Sequence, residues 1–237
     1  MFCGSPQPCC RRDAIHGQIK FVPGGLSASL AAMSTIVVAQ KNGVACIGAD
    51  TLSCLGSLRQ RAHHVENKTK ITLVGDTYVG LTGTSTSLVV LNSYFSDAAR
   101  PRDFSSAEAI FESLRYAHHT LKTDYFMSAH PNNDDEYETT QFYGLMANPS
   151  GIYAIYSFRS AQKFMRFWAA GSGRDFALGA MTTVYDRYKT AEDIVKAGLE
   201  ASAEFDGATA GPFEIFSVPL ASEAKPKKGG TKKRAKK

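Results

Sequence analysis

Asn42-Gly43 sits between two short apolar runs, Ile36-Val37-Val38 and residues 44–47. Asn-Gly is the strongest short hairpin signal, because both residues tolerate the positive φ that a tight reversal needs. The sequence therefore predicts a hairpin over 35–47. A second hairpin is expected over 71–81 around Gly75-Asp76. Strands at 141–147 and 152–158 are joined by Asn148-Pro149-Ser150-Gly151, a plain turn sequence. A further strand over 164–170 runs into Gly171-Ser172-Gly173, and a last one covers 212–218. Residues 51–69, including His63-His64, read as a loop without strong pattern.

Helices separate these strands. Residues 84–97 open with hydroxyl side chains suited to capping unpaired N–H groups. Ser105 and Glu108 have the spacing of a capping box. They precede a long helix in which Ile110, Leu114, Ala117 and Leu121 recur at helical intervals. His118-His119 and Asp124 fall within it. Adjacent histidines on a helix point about 100° apart and do not readily share one ion, so they read as solvated or interface residues rather than a metal site. The acidic run 131–138 reads as a solvated loop. Two helices are expected at 174–188 and 191–204, the second capped by Thr190. The order is hairpins, two helices, hairpin plus strand, two helices, strand. Two antiparallel sheets with helices outside each would bury all the amphipathic faces, an α+β class.

The chain has 237 residues and a net charge of +5. That charge is concentrated at the ends. Residues 225–237 hold eight Lys or Arg and no acid, and residues 1–33 hold three Lys or Arg and one acid, so that 34–224 keeps 16 basic and 21 acidic residues. The body is thus acidic and the tail basic. The tail is low-complexity and reads as solvated. It could attract nucleic acid through phosphate contacts, but has no interleaved aromatics for base stacking. Nothing else points to nucleic acid. No apolar run approaches the roughly 18 residues of a transmembrane helix. Three of the five cysteines (Cys3, Cys9, Cys10) precede residue 34, leaving Cys46 and Cys54. Such sparse use argues against a disulfide framework and for a reducing, cytoplasmic setting. Cys3, Cys9 and Cys10 lack a second ligand pair for a metal.

Met33-Ser34-Thr35 precedes the first strand. If everything up to Met33 is removed, Ser34 carries both a hydroxyl and a free α-amine, nucleophile and base on one residue. The amine's ordinary pKa of roughly 7.7–8.0 suits a base near neutrality. Asp50 follows sixteen residues later, Lys70 after it, then the turn Leu81-Thr82-Gly83-Thr84-Ser85-Thr86, then Gly171-Ser172-Gly173 and Asp206-x-x-Thr209. Taken singly, these are a strand-edge serine, a strand-end lysine and turn glycines. Gly171-Ser172-Gly173 lacks the Lys-Ser/Thr pair of a phosphate loop, so nucleotide binding is rejected.

As an ordered set they resemble the proteasome β-subunit and HslV-type peptidases, more narrowly the betaproteobacterial proteasome homologues. The resemblance covers roughly 34–219. It implies the four-layer αββα sandwich of the N-terminal-nucleophile hydrolases, with no cofactor and no metal. It implies Ser34 as nucleophile where the family usually has threonine. Thr35 is a rival, but stands one residue short of the family register to Asp50. Lys70 aligns with the catalytic lysine, with Lys68 an alternative two residues earlier. Asp50 would hold the lysine, and Gly83 would supply the oxyanion N–H. Ser172, Asp206 and Thr209 would orient the amine. Cys54 and Ser85 fall where backbone contacts to substrate come from, and Leu81 or Val89 would line the side-chain pocket.

The resemblance further implies identical subunits in two stacked rings, a tetradecamer or a dodecamer, acting on peptide or unfolded polypeptide. An HslV-like partner would be a ring ATPase. The acidic body, if it lines the chamber, would disfavour acidic substrates. Residues 1–33 read as a propeptide, a misplaced start or an expression remnant. Met33 before a small residue suits methionine removal, which favours translation from Met33. The domain would then span 34–220, followed by the tail 221–237. Two rivals remain: an inactive ring scaffold, and an amidase of the same hydrolase class acting on small amides.

Overall fold

The computed structural model describes residues 34–128 and 136–221. The expected leader, most of the acidic loop and the basic tail lie outside these residues. Strands β1 (Thr35–Lys41) and β2 (Val44–Ala49) form the first hairpin. Asn42 and Gly43 take φ values of 51° and 77°, as the two-residue reversal requires. The pair lies at the centre of a four-stranded antiparallel sheet, flanked by β10 (Phe167–Gly171) and β11 (Glu214–Pro219) in the order β10-β1-β2-β11. A five-stranded antiparallel sheet follows chain order: β5 (Ile71–Val74), β6 (Thr77–Thr82), β7 (Tyr143–Asn148), β8 (Gly151–Ile155) and β9 (Ala161–Phe164).

Three apolar clusters hold these sheets. Strand alternation sends Ile36, Val38 and Ile47 to one face, where they meet Leu145, Ala147, Ile152 and Ala154 of the larger sheet. Val37, Ala39 and Cys46 point the other way, onto Ala177 and Met181 of α3 (Arg174–Val184) and Ile194, Val195 and Leu199 of α4 (Ala191–Phe205). Both faces of the central hairpin are therefore covered, which is why its strands read as continuous apolar runs. The third cluster packs α1 (Ser85–Ser96) and α2 (Ala107–Thr123) on the far face of the larger sheet. Ile110, Leu114, Ala117 and Leu121 are all buried there, and each large aliphatic contributes about 1.5–3 kcal/mol relative to exposure.

The structure departs from the sequence reading in several places. The stretch 51–69 contains a hairpin, β3 (Ser53–Leu55) and β4 (Leu58–Gln60), then a single 3-10 turn at Ala62–His64. Gly56-Ser57 is a two-residue hairpin loop, and Gly56 takes a φ of 59°. The expected strand 164–170 is two strands in different sheets. Phe164 pairs with Ile152 whereas Phe167 pairs with Ala39, so the chain crosses between sheets at Met165-Arg166. The rings of Phe164 and Trp168 stack at 4.5 Å across the crossing. The capping box at Ser105 and Glu108 does not form. Ser106 caps α2 instead, accepting from Ala109 N at 3.1 Å. Thr84 caps α1 without a side-chain bond to the helix backbone, while Thr190 caps α4 through Asp193 N as expected. His118 is not solvated: its ring meets Glu138 Oε2 at 3.0 Å and Thr140 Oγ1 at 3.3 Å.

Candidate active site

The spacing of sixteen positions from Ser34 to Asp50 follows from the hairpin. Its two-residue turn pairs Ile36 with Ala49, which leaves Thr35 beside Asp50 at the open end. Thr35 N donates to Asp50 Oδ1 at 2.9 Å and Asp50 N to Thr35 O at 3.2 Å. The other site residues gather at sheet ends and loops nearby. Lys70 precedes β5, Gly83 follows β6, Ser172 follows β10, and Asp206 and Thr209 follow α4.

Asp50 is fully buried and meets only donors. Oδ1 accepts from Lys70 Nζ at 2.7 Å as well as from Thr35 N. Oδ2 accepts from Leu52 N at 3.0 Å and Ala210 N at 3.4 Å. Burial pushes its carboxyl up from the ordinary value, and the Lys70 charge with the Lys70, Thr35 and Leu52 hydrogen bonds pulls it back. With four donors around it, the carboxylate form is the one the site fits. Lys70 also donates to Leu52 O at 2.7 Å. It is Lys70, not Lys68, that pairs with Asp50.

Ser34 is 4% exposed, and its carbonyl oxygen accepts from Ser172 N at 2.9 Å. Gly171 makes this approach possible. Its φ is 97°, and a Cβ there would lie 1.9 Å from Ser34 O. Behind the strand runs a chain of hydroxyls. Ser172 Oγ donates to Asp206 Oδ2 at 2.7 Å and Thr209 Oγ1 donates to the same oxygen at 2.6 Å. Thr209 has then used its one proton, so the 2.6 Å contact with Thr35 Oγ1 is a bond donated by Thr35. Thr35 is fully buried and its hydroxyl is committed to this chain.

Ser34 lines a cavity of about 460 Å³ together with Lys70 and Gly83. Cys54, Leu81 and Ser85 line it too, and so does Val89. Gly83 has a φ of 108°, which turns the backbone at the end of β6 in a way a side chain would resist. The cavity thus has β3 on one side and the β6–α1 turn on the other. Sequence reasoning missed β3 as a wall, and missed Leu52 and Ala210, which act through backbone groups. The Gly56-Ser57 turn was the available signal for β3; backbone donors leave none. The second cysteine, Cys46, is buried, which pushes its thiol up to about 11.

The search of solved structures returns Thiobacillus denitrificans BPH, the betaproteobacterial proteasome homologue, at 34% sequence identity. The match covers 80% of this chain and 100% of that one, with a TM-score of 0.75. The same protein in complex with epoxomicin matches at 34% identity over 79% of this chain and 99% of that one, with a TM-score of 0.73. The chain belongs to the proteasome β-subunit and HslV-type peptidase family. Eukaryotic HslV from Trypanosoma brucei shares the fold at a TM-score of 0.58 and 15% identity, covering 78% of this chain and 99% of that one. No protein-family model and no curated protein matches the sequence. That family is one of self-compartmentalising peptidases, and membership gives the chain the N-terminal-nucleophile hydrolase fold of sheets and helices. Among the described residues no helix is long and apolar enough to cross a membrane.

Proposed function

We propose that this chain is a self-compartmentalising endopeptidase whose nucleophile is the hydroxyl of an amino-terminal Ser34. The observation that carries the reading is the meeting of Ser34, Gly83 and the Lys70–Asp50 pair at one cavity. Removal of residues 1–33 would free the Ser34 amine. That amine takes the hydroxyl proton as Ser34 Oγ attacks the substrate carbonyl carbon. The Lys70 ammonium, held by Asp50, favours the alkoxide that forms. The Gly83 N–H faces the negative oxygen of the tetrahedral intermediate. On collapse, the protonated amine hands its proton to the leaving nitrogen and Ser34 is left as an ester. A water, deprotonated by the same amine, attacks the ester and restores Ser34. Ser172, Asp206 and Thr209 fix the position of the terminus. Substrate would add as an extended strand between β3 and the turn at Gly83, with backbone contacts at Cys54 and Ser85 and Leu81 in the side-chain pocket.

The fold would be a four-layer αββα sandwich with α1 and α2 outside one sheet and α3 and α4 outside the other, a reading that the three apolar clusters support. Residues 34–220 would form this domain. Identical subunits would assemble as two stacked rings, fourteen or twelve chains, in the cytoplasm, with a ring ATPase as feeder in the HslV-like case. The test is cleavage of an unfolded polypeptide by protein beginning at Ser34, by its Ser34→Ala variant, and by protein retaining residues 1–33. Only the first should cut. Cutting by the Ser34→Ala variant would refute the assignment, and an inert ring beginning at Ser34 would make the chain a scaffold.

A further inference from the structure

The cavity beside Ser34 carries an unusual charge balance. Its charged lining residues are Lys68 and Lys70, with no carboxylate among them. Lys70 is neutralised by Asp50. Lys68 is half-buried, and among the described residues no carboxylate forms an ion pair with it. The cavity's buried apolar wall includes Leu52, Leu81 and Leu88, 1%, 6% and 9% exposed, with Leu55, Val65 and Val89 also lining it. A pocket with an apolar wall and one uncompensated ammonium fits a side chain with a methylene stem and an anionic end.

We infer that the pocket selects peptides with an acidic residue, glutamate above all, on the acyl side of the bond that is cut, and that Lys68 is the residue that sets this preference. The inference rests on the peptidase reading above. A lysine or arginine side chain would enter against two ammonium groups whose one counter-ion, Asp50, is fully buried and already saturated with donors. A leucine would be accepted by the apolar wall but would leave Lys68 partly desolvated without a partner. The acidic excess of residues 34–224 acts in the opposite direction, repelling acidic peptides. That repulsion is spread over the body and is screened beyond roughly 8 Å at physiological ionic strength, whereas Lys68 would meet the carboxylate in contact. The long-range field therefore affects arrival, and Lys68 decides which side chain stays.

The experiment uses the assembled protein beginning at Ser34 and four fluorogenic peptides differing only at that residue: Glu, Gln, Leu and Arg. Glu against Gln isolates charge at nearly constant shape. A partly exposed ion pair corresponds to roughly a fivefold higher kcat/KM for Glu than for Gln. Arg should be cleaved slowest. The Glu-to-Gln ratio should fall to about one in Lys68→Met, invert in Lys68→Glu, and shrink in the wild type as salt is raised. Thermal unfolding of each variant, and its rate of adduct formation with a peptide epoxyketone, show that the fold and the nucleophile survive. A wild-type ratio of one, or a ratio that Lys68→Glu leaves unchanged while adduct formation persists, overturns the inference and leaves the peptidase standing. If no peptide is cut and no adduct forms, the peptidase reading fails and this inference fails with it.

Discussion

Replacing Asp50 by asparagine should damage this protein more than any other single exchange of one polar atom. The side chain is fully buried and every neighbour of its two oxygens is a donor: Lys70 Nζ, Thr35 N, Leu52 N and Ala210 N. Asparagine keeps one acceptor and adds an NH₂. Placed either way, that NH₂ faces two donors, Lys70 Nζ and Thr35 N or else Leu52 N and Ala210 N, which lose their acceptor, and in both cases the Lys70 ammonium loses its counter-charge. Breaking a buried ion pair from one side costs about 3–5 kcal/mol. The Lys70 side chain is 12% exposed and can recover some hydration, which puts the expectation at the lower end. About 3 kcal/mol in a domain of this size lowers Tm by roughly 6–12 °C. Thermal unfolding at fixed protein concentration reads this directly. Asp50→Asn with Lys70→Met together should cost less than the two single variants summed, by about 1 kcal/mol or more, because the double variant leaves no orphaned charge. Peptide cleavage should be lost in all three. An Asp50→Asn protein that melts within about 1 °C of the wild type and still cleaves, or a double variant whose costs simply add, would refute the reasoning.

Gly171→Ala should be unfavourable by about 2 kcal/mol or more, since it combines a φ of 97° with a Cβ placed 1.9 Å from Ser34 O; both Tm and cleavage should fall, and an unchanged Tm would contradict the close approach. Thr35→Val should cost about 1 kcal/mol through the lost bond to Thr209, yet on the proposed mechanism epoxyketone should still label the protein, and loss of labelling in a folded variant would point to Thr35 instead. Burial holds the His118 imidazole below its ordinary pKa, with the charge of Arg159 acting the same way and Glu138 opposing them. The unfolded chain therefore takes up this proton first. Stability should decline as pH falls from about 6.5 through the lower folded value, and His118→Gln should flatten that part of a denaturant-midpoint profile between pH 7.5 and 5.5. Ser34→Thr should raise the rate of cleavage, since the extra methyl stiffens χ1 and orients the hydroxyl; a slower enzyme would show that the site is shaped around serine.

Much of this was legible in the residues. Asn42-Gly43 marked the reversal that sets the register of β1 on β2, and that register brings Asp50 beside Thr35. The order of hairpins and helices suggested two antiparallel sheets covered by helices, and both appear. What escaped was of two kinds. Apolar runs do not say which sheet they join, so residues 164–170 read as one strand although Phe164 and Phe167 pair in different sheets. Backbone chemistry leaves no residue signature. The Leu52 carbonyl and the N–H groups of Leu52 and Ala210 hold Lys70 and Asp50, yet any residue could supply them. The choice between Lys70 and Lys68 needed geometry as well. The sequence favours Lys70, which precedes Ile71 at the start of a strand, but leaves Lys68 open on the same strand face, and the contact with Asp50 separates the two.

The central claim is that Ser34, as an amino terminus, is the nucleophile. Intact mass of the native purified protein, with and without a peptide epoxyketone, tests it most directly. The account predicts a chain beginning at Ser34 that gains one inhibitor mass, with the adduct on Ser34 bridging its hydroxyl and amine and absent from Ser34→Ala. A chain that keeps residues 1–33 and takes up no inhibitor would contradict the account.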